Sequence, residues 1–194
     1  MKRMPRTVGV LVWAAGAAAL HGVVPFELSR LGDRAEAPRP GSFAAREAGL
    51  LVVAAGAALM TSAMAAHYQA APRGWTVNSR LTPPYLLRRG PYRLTRNPMY
   101  AGEAVAWFGW ALFYRRPPVW AGLAIQCAAF AAIARWEERR LLNGFGDNYR
   151  AYLAQVPRWV PRCPNRFPQI QPGAQLPVAK RGGEAPLGGQ YSTT

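Results

Sequence analysis

The chain has 194 residues, enough for one domain with a core and too few for two full-sized ones. Apolar residues make up 51% of it while the mean hydropathy is only −0.08, because long Ala-rich blocks alternate with Arg- and Pro-rich stretches, the pattern of membrane spans separated by wet loops. The net charge of +15 comes from Arg clustered beside the apolar blocks rather than from a basic stripe interleaved with aromatics, so positive-inside placement accounts for it and nucleic acid is excluded as a partner.

Two cysteines, Cys127 in an apolar block and Cys163 in a Pro-rich tail, form neither a disulfide framework nor a metal-ligand spacing. No metal site is expected.

Four apolar segments are predicted, near residues 7–28, 44–67, 99–114 and 119–136. Each approaches the roughly 20 residues that a hydrocarbon layer of about 30 Å requires. The expected fold is therefore all-α: a polytopic membrane helical bundle of about four transmembrane helices over residues 1–162. The first segment, preceded by Lys2, Arg3 and Arg6 and containing Ala17-Ala18-Ala19, also has the form of a signal peptide. Its apolar run continues to Phe26, which favours a retained span. His21 within it lies toward the opposite membrane face and is assigned no role.

Topology follows from the basic residues of each loop. Arg30, Arg34, Arg39 and Arg46 of the first loop are offset by Asp33, Glu36 and Glu47, whereas the second loop carries Arg73, Arg80, Arg88, Arg89, Arg93 and Arg96 with no acid. The third connection holds only Arg115 and Arg116, and the C-terminal region is again rich in Arg. Both termini and the second loop are expected to face the cytoplasm. His67, closing the second segment on that face, has an interfacial or helix-ending role.

Arg115-Arg116-Pro117-Pro118 makes segments three and four a tight antiparallel hairpin. Small residues at Gly102, Ala106 and Gly109 on one, and at Ala121, Ala124, Ala128 and Ala132 on the other, offer faces on which membrane helices can approach closely. The hairpin returns the end of segment four to the face where segment three began.

Three stretches can carry chemistry. In Gly90-Pro91-Tyr92-Arg93-Leu94-Thr95-Arg96-Asn97-Pro98-Met99-Tyr100, Asn97 is placed as an N-cap and Pro98 at the first helical position. Free backbone N–H groups and the helix dipole beside Arg96 then suit a carboxylate or phosphate. Gly90-Pro91 supplies a turn, and the Tyr92 and Tyr100 rings can hold a cation or stack on a purine. The same residues also suit a plain capped helix start with interfacial tyrosines. Glu103 lies one turn into segment three, on the face of Tyr100 and Trp107; an acid at that depth points to function, or to snorkelling at the interface.

The second stretch is Arg135-Trp136-Glu137-Glu138-Arg139-Arg140 at the cytoplasmic end of segment four. Its carboxylates either pair locally with Arg135, Arg139 and Arg140 or hold ribose hydroxyls or an ammonium group. The third runs from Phe145-Gly146 through Tyr149, Tyr152 and Val156-Pro157 to Pro161, where Gly144 or Gly146 can stop the helix and the aromatics form a short amphipathic element on the interface, a lid or an anchor. Residues 163–194 turn to Pro, Gly, Gln and Ser without periodicity and are expected to be a disordered tail.

Together the three stretches resemble the isoprenylcysteine carboxyl methyltransferase and phospholipid methyltransferase families. G-P-Y-x-x-x-R-[HN]-P-x-Y is matched by Gly90 to Tyr100, the E-E pair by Glu137 and Glu138, and F-G-x-x-Y-x-x-Y-x-x-x-V-P by Phe145 to Pro157. The resemblance covers about residues 87–162. It implies an S-adenosyl-L-methionine site between the last two spans and the C-terminal element, lined or shaped by Gly90, Pro91, Tyr92, Arg96, Asn97, Pro98, Tyr100, Gly102, Glu137 and Glu138. It further implies methyl transfer to a lipid or lipid-linked carboxylate, amine or thiol at the cytoplasmic face, with Arg96, Glu138 and Glu103 as catalytic candidates. Arg96-Asn97-Pro98 stands where the isoprenylcysteine enzymes usually have R-H-P; N-P-M-Y-x-G is similar to the phospholipid enzymes, while residues 145–157 resemble the isoprenylcysteine side. A carboxylate acceptor needs no base; an amine does, and Glu103 or Glu138 is placed for it. The rival readings are an NADPH-dependent reductase of the sterol-reductase type and a non-enzymatic membrane scaffold.

Overall fold

The computed structural model describes residues 6–33, 43–70 and 85–159. The expected tail at 163–194, the N-terminal Lys2 and Arg3, and the loop arginines Arg34, Arg39, Arg73 and Arg80 lie outside these residues. Among the described residues the structure is helical throughout: α1 (Arg6–Ala18), a π-helical turn (Ala19–Val23), α2 (Val24–Asp33), α3 (Phe43–Ala70), a 3₁₀ turn (Gly90–Arg93), α4 (Pro98–Tyr114), α5 (Pro117–Phe145) and α6 (Asp147–Gln155).

The first helical stretch runs five residues past the expected edge at residue 28, and its π turn has a local cause. Pro25 has no N–H to donate to the carbonyl of His21, and its ring crowds that carbonyl. The helix widens instead, and the Val24 N–H donates to the Ala19 carbonyl five residues back. Proline thus distorts the backbone around His21.

α3 and α5 are long and apolar enough to cross a membrane. Only 22% of the most apolar stretch of α3 and 11% of that of α5 are buried inside the molecule, which is the reverse of a soluble core helix. Leu50, Leu51, Ile125 and Ile133 face outward, as do Leu11, Val12, Leu20 and Val23 on the first stretch. Apolar surface of this extent calls for lipid around it. α4, with 17 residues, is shorter than the other two and packs along α3.

Glycine makes that packing possible. A Cβ on Gly56 would stand 2.5 Å from Ala106 N and 2.6 Å from Gly102 O, and one on Gly109 would stand 2.6 Å from Gly49 O. The two backbones touch at both levels. The small residues Gly102, Ala106 and Gly109 therefore serve α3 and not the α4–α5 hairpin; Ala121, Ala124, Ala128 and Ala132 point outward. An Ala-rich helix gains as much from a lipid-facing position as from a packed one, so small-residue spacing on α5 carried no information about its partner.

The hairpin itself is as tight as expected. Arg115 takes the left-handed conformation (φ 53°) and donates its N–H to the Ala111 carbonyl, ending α4. Arg116 is extended before Pro117, which opens α5. α5 then continues to Phe145, well beyond residue 136, so Glu137 and Glu138 lie within a helix and not at its end. Gly146 (φ 53°) supplies the break that re-aims the chain into α6.

Replacing Gly56 by Val is expected to force α3 and α4 apart at a cost of about 1–3 kcal/mol. Ala128→Leu, on the outward face of α5, should leave stability unchanged. Thermal melting of the two variants in one detergent checks both.

Candidate functional site

Glu138 is the fixed point of the site. It is buried (7% exposed) in the last third of α5. Arg96 donates Nε to Glu138 Oε1 at 3.1 Å and sets Nη2 2.9 Å from the same oxygen. Arg158 donates Nε to Oε1 at 3.0 Å and Nη2 to Oε2 at 2.5 Å. One carboxylate thus joins the residue preceding α4 to the segment that follows α6. The neighbouring arginines do not compete: Arg135 donates to the Ala131 carbonyl, and Arg140 lies over the Trp136 ring at 4.6 Å. Local helical pairing was available and long-range pairing replaced it.

The remaining donors of Arg96 hold the C-terminal segment. Nη1 donates to the Leu153 and Val156 carbonyls at 3.0 and 2.9 Å, and the Arg96 N–H donates to the Pro157 carbonyl at 3.0 Å. Thr95 Oγ1 and Asn97 Nδ2 both donate to the Arg158 carbonyl, at 2.8 and 3.2 Å. Asn97 occupies the N-cap position of α4, but its side chain makes no capping bond because its amide is turned to Arg158. The expected cap is therefore corrected to a brace, and the start of α4, with Pro98 at its first position, keeps N–H groups that Asn97 does not cover.

Glu137, one residue earlier, is held differently. It accepts from the Tyr100 hydroxyl at 3.0 Å through Oε1, and Tyr100 stacks on Phe130 (4.8 Å, 20°). Tyr92 and Tyr149 lie within its electrostatic reach. Burial first, and then neighbouring hydroxyls and Glu137, push the Tyr92 hydroxyl far above its ordinary value, so it stays a donor. A partly buried carboxylate among tyrosine rings is an environment for a cation.

Tyr92 also closes a second network. Its hydroxyl is 2.7 Å from His67 Nε2, while His67 Nδ1 is 3.0 Å from the Tyr85 hydroxyl, which donates to the His67 carbonyl. With both tyrosines as donors, the imidazole carries its proton on Nδ1. His67 does not end its helix, which continues to Ala70; it ties α3 to the 3₁₀ turn. Gly90 begins that turn at φ 58°, and Pro91 accepts the Leu94 N–H at 3.0 Å.

α6 covers this end of the bundle through Tyr149, Tyr152 and Val156, which pack with Leu86, Leu141, Leu142, Phe145 and Leu153. Tyr152 donates to the Tyr92 carbonyl at 2.7 Å, and Arg88 reaches the Asn148 carbonyl. Burial, with the nearby Glu138 charge, holds the Tyr149 hydroxyl above its ordinary value.

Of the residues expected at the site, Tyr92, Arg96, Asn97, Tyr100, Glu137 and Glu138 are brought together, with Gly90 and Pro91 shaping the turn beside them. Gly102 instead packs on α3, where its Cβ would meet Gly56 O at 2.8 Å. Glu103 lies one turn deeper, 3.7 Å from His21 Nε2. His21 is thus corrected: expected toward the opposite membrane face, it lies beside Glu103 and Trp107 in the first turns of α4, because the first helical stretch continues to Asp33 and residue 21 falls near its middle. Arg158 was missed. Its only trace in the sequence is its place directly after Val156-Pro157.

A family model described as phospholipid methyltransferase matches residues 45–148, more than half of the chain. No curated protein and no solved structure matches it.

Glu138→Ala should leave Arg96 and Arg158 facing each other unpaired, at a cost of about 3–5 kcal/mol. Glu137→Ala, which removes one hydrogen bond at a partly exposed position, is expected to cost about 1 kcal/mol. Denaturation midpoints in detergent give the comparison.

Proposed function

The chain belongs to the phospholipid methyltransferase family, and on that premise we propose that it transfers a methyl group from S-adenosyl-L-methionine to a lipid or lipid-linked acceptor at the cytoplasmic face of a membrane. The family is one of methyltransferases, and the outward apolar faces of α3 and α5 put the chain in a lipid environment. The cofactor, the acceptor chemistry, the four-span topology with both termini cytoplasmic, and a membrane domain spanning residues 1–162 are our reading.

The observation that carries it is the contrast between the two adjacent glutamates. Glu138 is saturated by Arg96 and Arg158, whereas Glu137 has one oxygen held by Tyr100 and the other uncommitted in the hydrogen bonds above. The uncovered start of α4 lies next to it, since Tyr100 is the third residue of that helix. A carboxylate ringed by tyrosines beside an open helix start fits a zwitterionic amino-acid cofactor with an extra cationic centre. Glu137 with Tyr92 and Tyr100 would take the cationic groups, and the N–H groups of Met99 and Tyr100 the carboxylate. The bound cofactor supplies an electrophilic methyl group on sulfur.

Arg96, Glu138 and Arg158 then act as positioning residues. They lock α6 and the segment after it over the start of α4, which excludes water from the transfer. Glu103, one turn deeper on α4, would receive a proton where the acceptor carries one.

Isothermal titration of the full chain in lipid nanodiscs with S-adenosylhomocysteine tests the reading. Glu137→Gln and Tyr100→Phe should each weaken binding by roughly 10-fold or more, as expected for losing a hydrogen bond to a charged group. Binding of NADPH by the wild type, with none of S-adenosylhomocysteine, would overturn it.

A further inference from the structure

Below the tyrosine and glutamate site, where the π turn meets α4, lie polar groups of which the reading above uses only Glu103. Trp107 donates Nε1–H to His21 Nδ1 at 3.0 Å. His21 Nε2 is 3.7 Å from Glu103 Oε2, and the two side chains are 11% and 13% exposed. Indole N–H is a donor only, so His21 Nδ1 must carry a lone pair. The neutral ring then bears its proton on Nε2, directed at the Glu103 carboxylate. Trp107 is itself fixed: it is 4% exposed, and a Cβ on Gly122 would stand 2.6 Å from its ring.

α5 adds a fourth group. Gly122 meets Trp107 and Phe130 stacks on Tyr100, so Gln126, one turn from each on α5, is level with Glu103 on α4. Its Oε1 is buried and has no hydrogen-bond partner among the described residues. An acceptor oxygen without a donor is costly in an apolar layer. Glu103 and Gln126 Oε1 thus lie at one level of α4 and α5, and His21 Nε2–H is the donor directed at Glu103.

We propose that Trp107 and His21 form a positioning relay that orients Glu103 to take the proton of a proton-bearing methyl acceptor. The proposal rests on the methyl-transfer reading. As the bond from the acceptor atom to the methyl carbon forms, the carbon–sulfur bond breaks with its pair left on sulfur. The proton from the acceptor atom passes to Glu103 Oε2, where His21 Nε2–H steadies the second lone pair. Gln126 Oε1 accepts a further N–H where the headgroup has one.

The relay is read without turnover by ¹⁵N NMR of histidine-labelled protein in nanodiscs, since the chain has two histidines and His67→Gln assigns them. The expected His21 signal is a neutral ring with bare Nδ1 and protonated Nε2, and Trp107→Phe should mix the tautomers. A protonated Nδ1 in the wild type, or an unchanged ring in Trp107→Phe, overturns the relay. For the acceptor, labelled methyl transfer is offered to dodecylamine, dodecanethiol and laurate. Label should enter the amine or the thiol, and entry into laurate alone, or into none, overturns the proposal. Glu103→Gln should lower kcat by about 100-fold with S-adenosylhomocysteine affinity within about 2-fold; an unchanged kcat overturns it. His21→Leu should lower kcat by about 10-fold with His21→Gln, which keeps an acceptor and a donor, restoring most of it; equal losses in both overturn the relay. Failure of S-adenosylhomocysteine to bind the wild type would instead sink the methyl-transfer reading, and is told apart because the His21 tautomer is measured without cofactor.

Discussion

A single carboxylate, Glu138, ties together three parts of the chain that are far apart in sequence. Arg96 reaches it from the turn before α4 and Arg158 from beyond α6, with donor distances from 2.5 to 3.1 Å. At a membrane boundary such a charge is tolerated only when fully paired. Because Arg96 also donates to the Leu153 and Val156 carbonyls, the same guanidinium that neutralises Glu138 sets the height of the C-terminal segment over α4. The turn before α4 and the segment after α6 take their relative position from that clamp.

The clamp can form because of the hairpin. Two residues, Arg115 and Arg116, join α4 to α5, and Arg115 accepts a left-handed backbone to do so. A connection that short forces α5 back along α4, so the beginning of one and the end of the other share a level. This much was legible in Arg-Arg-Pro-Pro and in the apolar lengths, as were the turn at Gly90-Pro91, the helix start at Pro98 and the break at Gly146. Each is a local rule about proline or glycine, and local rules are carried by neighbouring residues.

What the sequence did not disclose was choice of partner. Glu138 had three arginines within one helical turn and took two others, 42 and 20 residues away. The small residues of α4 pack on α3 where Gly49 and Gly56 admit backbone contact, although the alanines of α5 looked as well suited. His21 was misplaced in depth. With the first segment ending near residue 28, residue 21 falls toward its far end; the helix runs on to Asp33, and His21 sits near the middle beside Glu103. Asn97 shows the same limit on a smaller scale: its type and place were those of a cap, but the Arg158 carbonyl took its amide.

Glu138, Asn97 and Arg158 meet where the start of α4 approaches the last turns of α5, and His21 lies deeper, against Glu103 and Trp107 of α4. The apolar exterior is locally consistent by comparison, because lipid imposes only hydrophobicity on it. Polar groups change in kind with depth: a saturated ion-pair cluster of Arg96, Glu138 and Arg158, then tyrosines and Glu137, then Glu103, His21, Trp107 and Gln126. Such a gradient has a physical consequence. On the methyl-transfer reading proposed above, a charged cofactor is answered at the ion-pair and tyrosine level and the acceptor meets Glu103 deeper, so the two reactants would be separated by depth, with Tyr100 and Glu103, one helical turn apart on α4, marking the boundary between them.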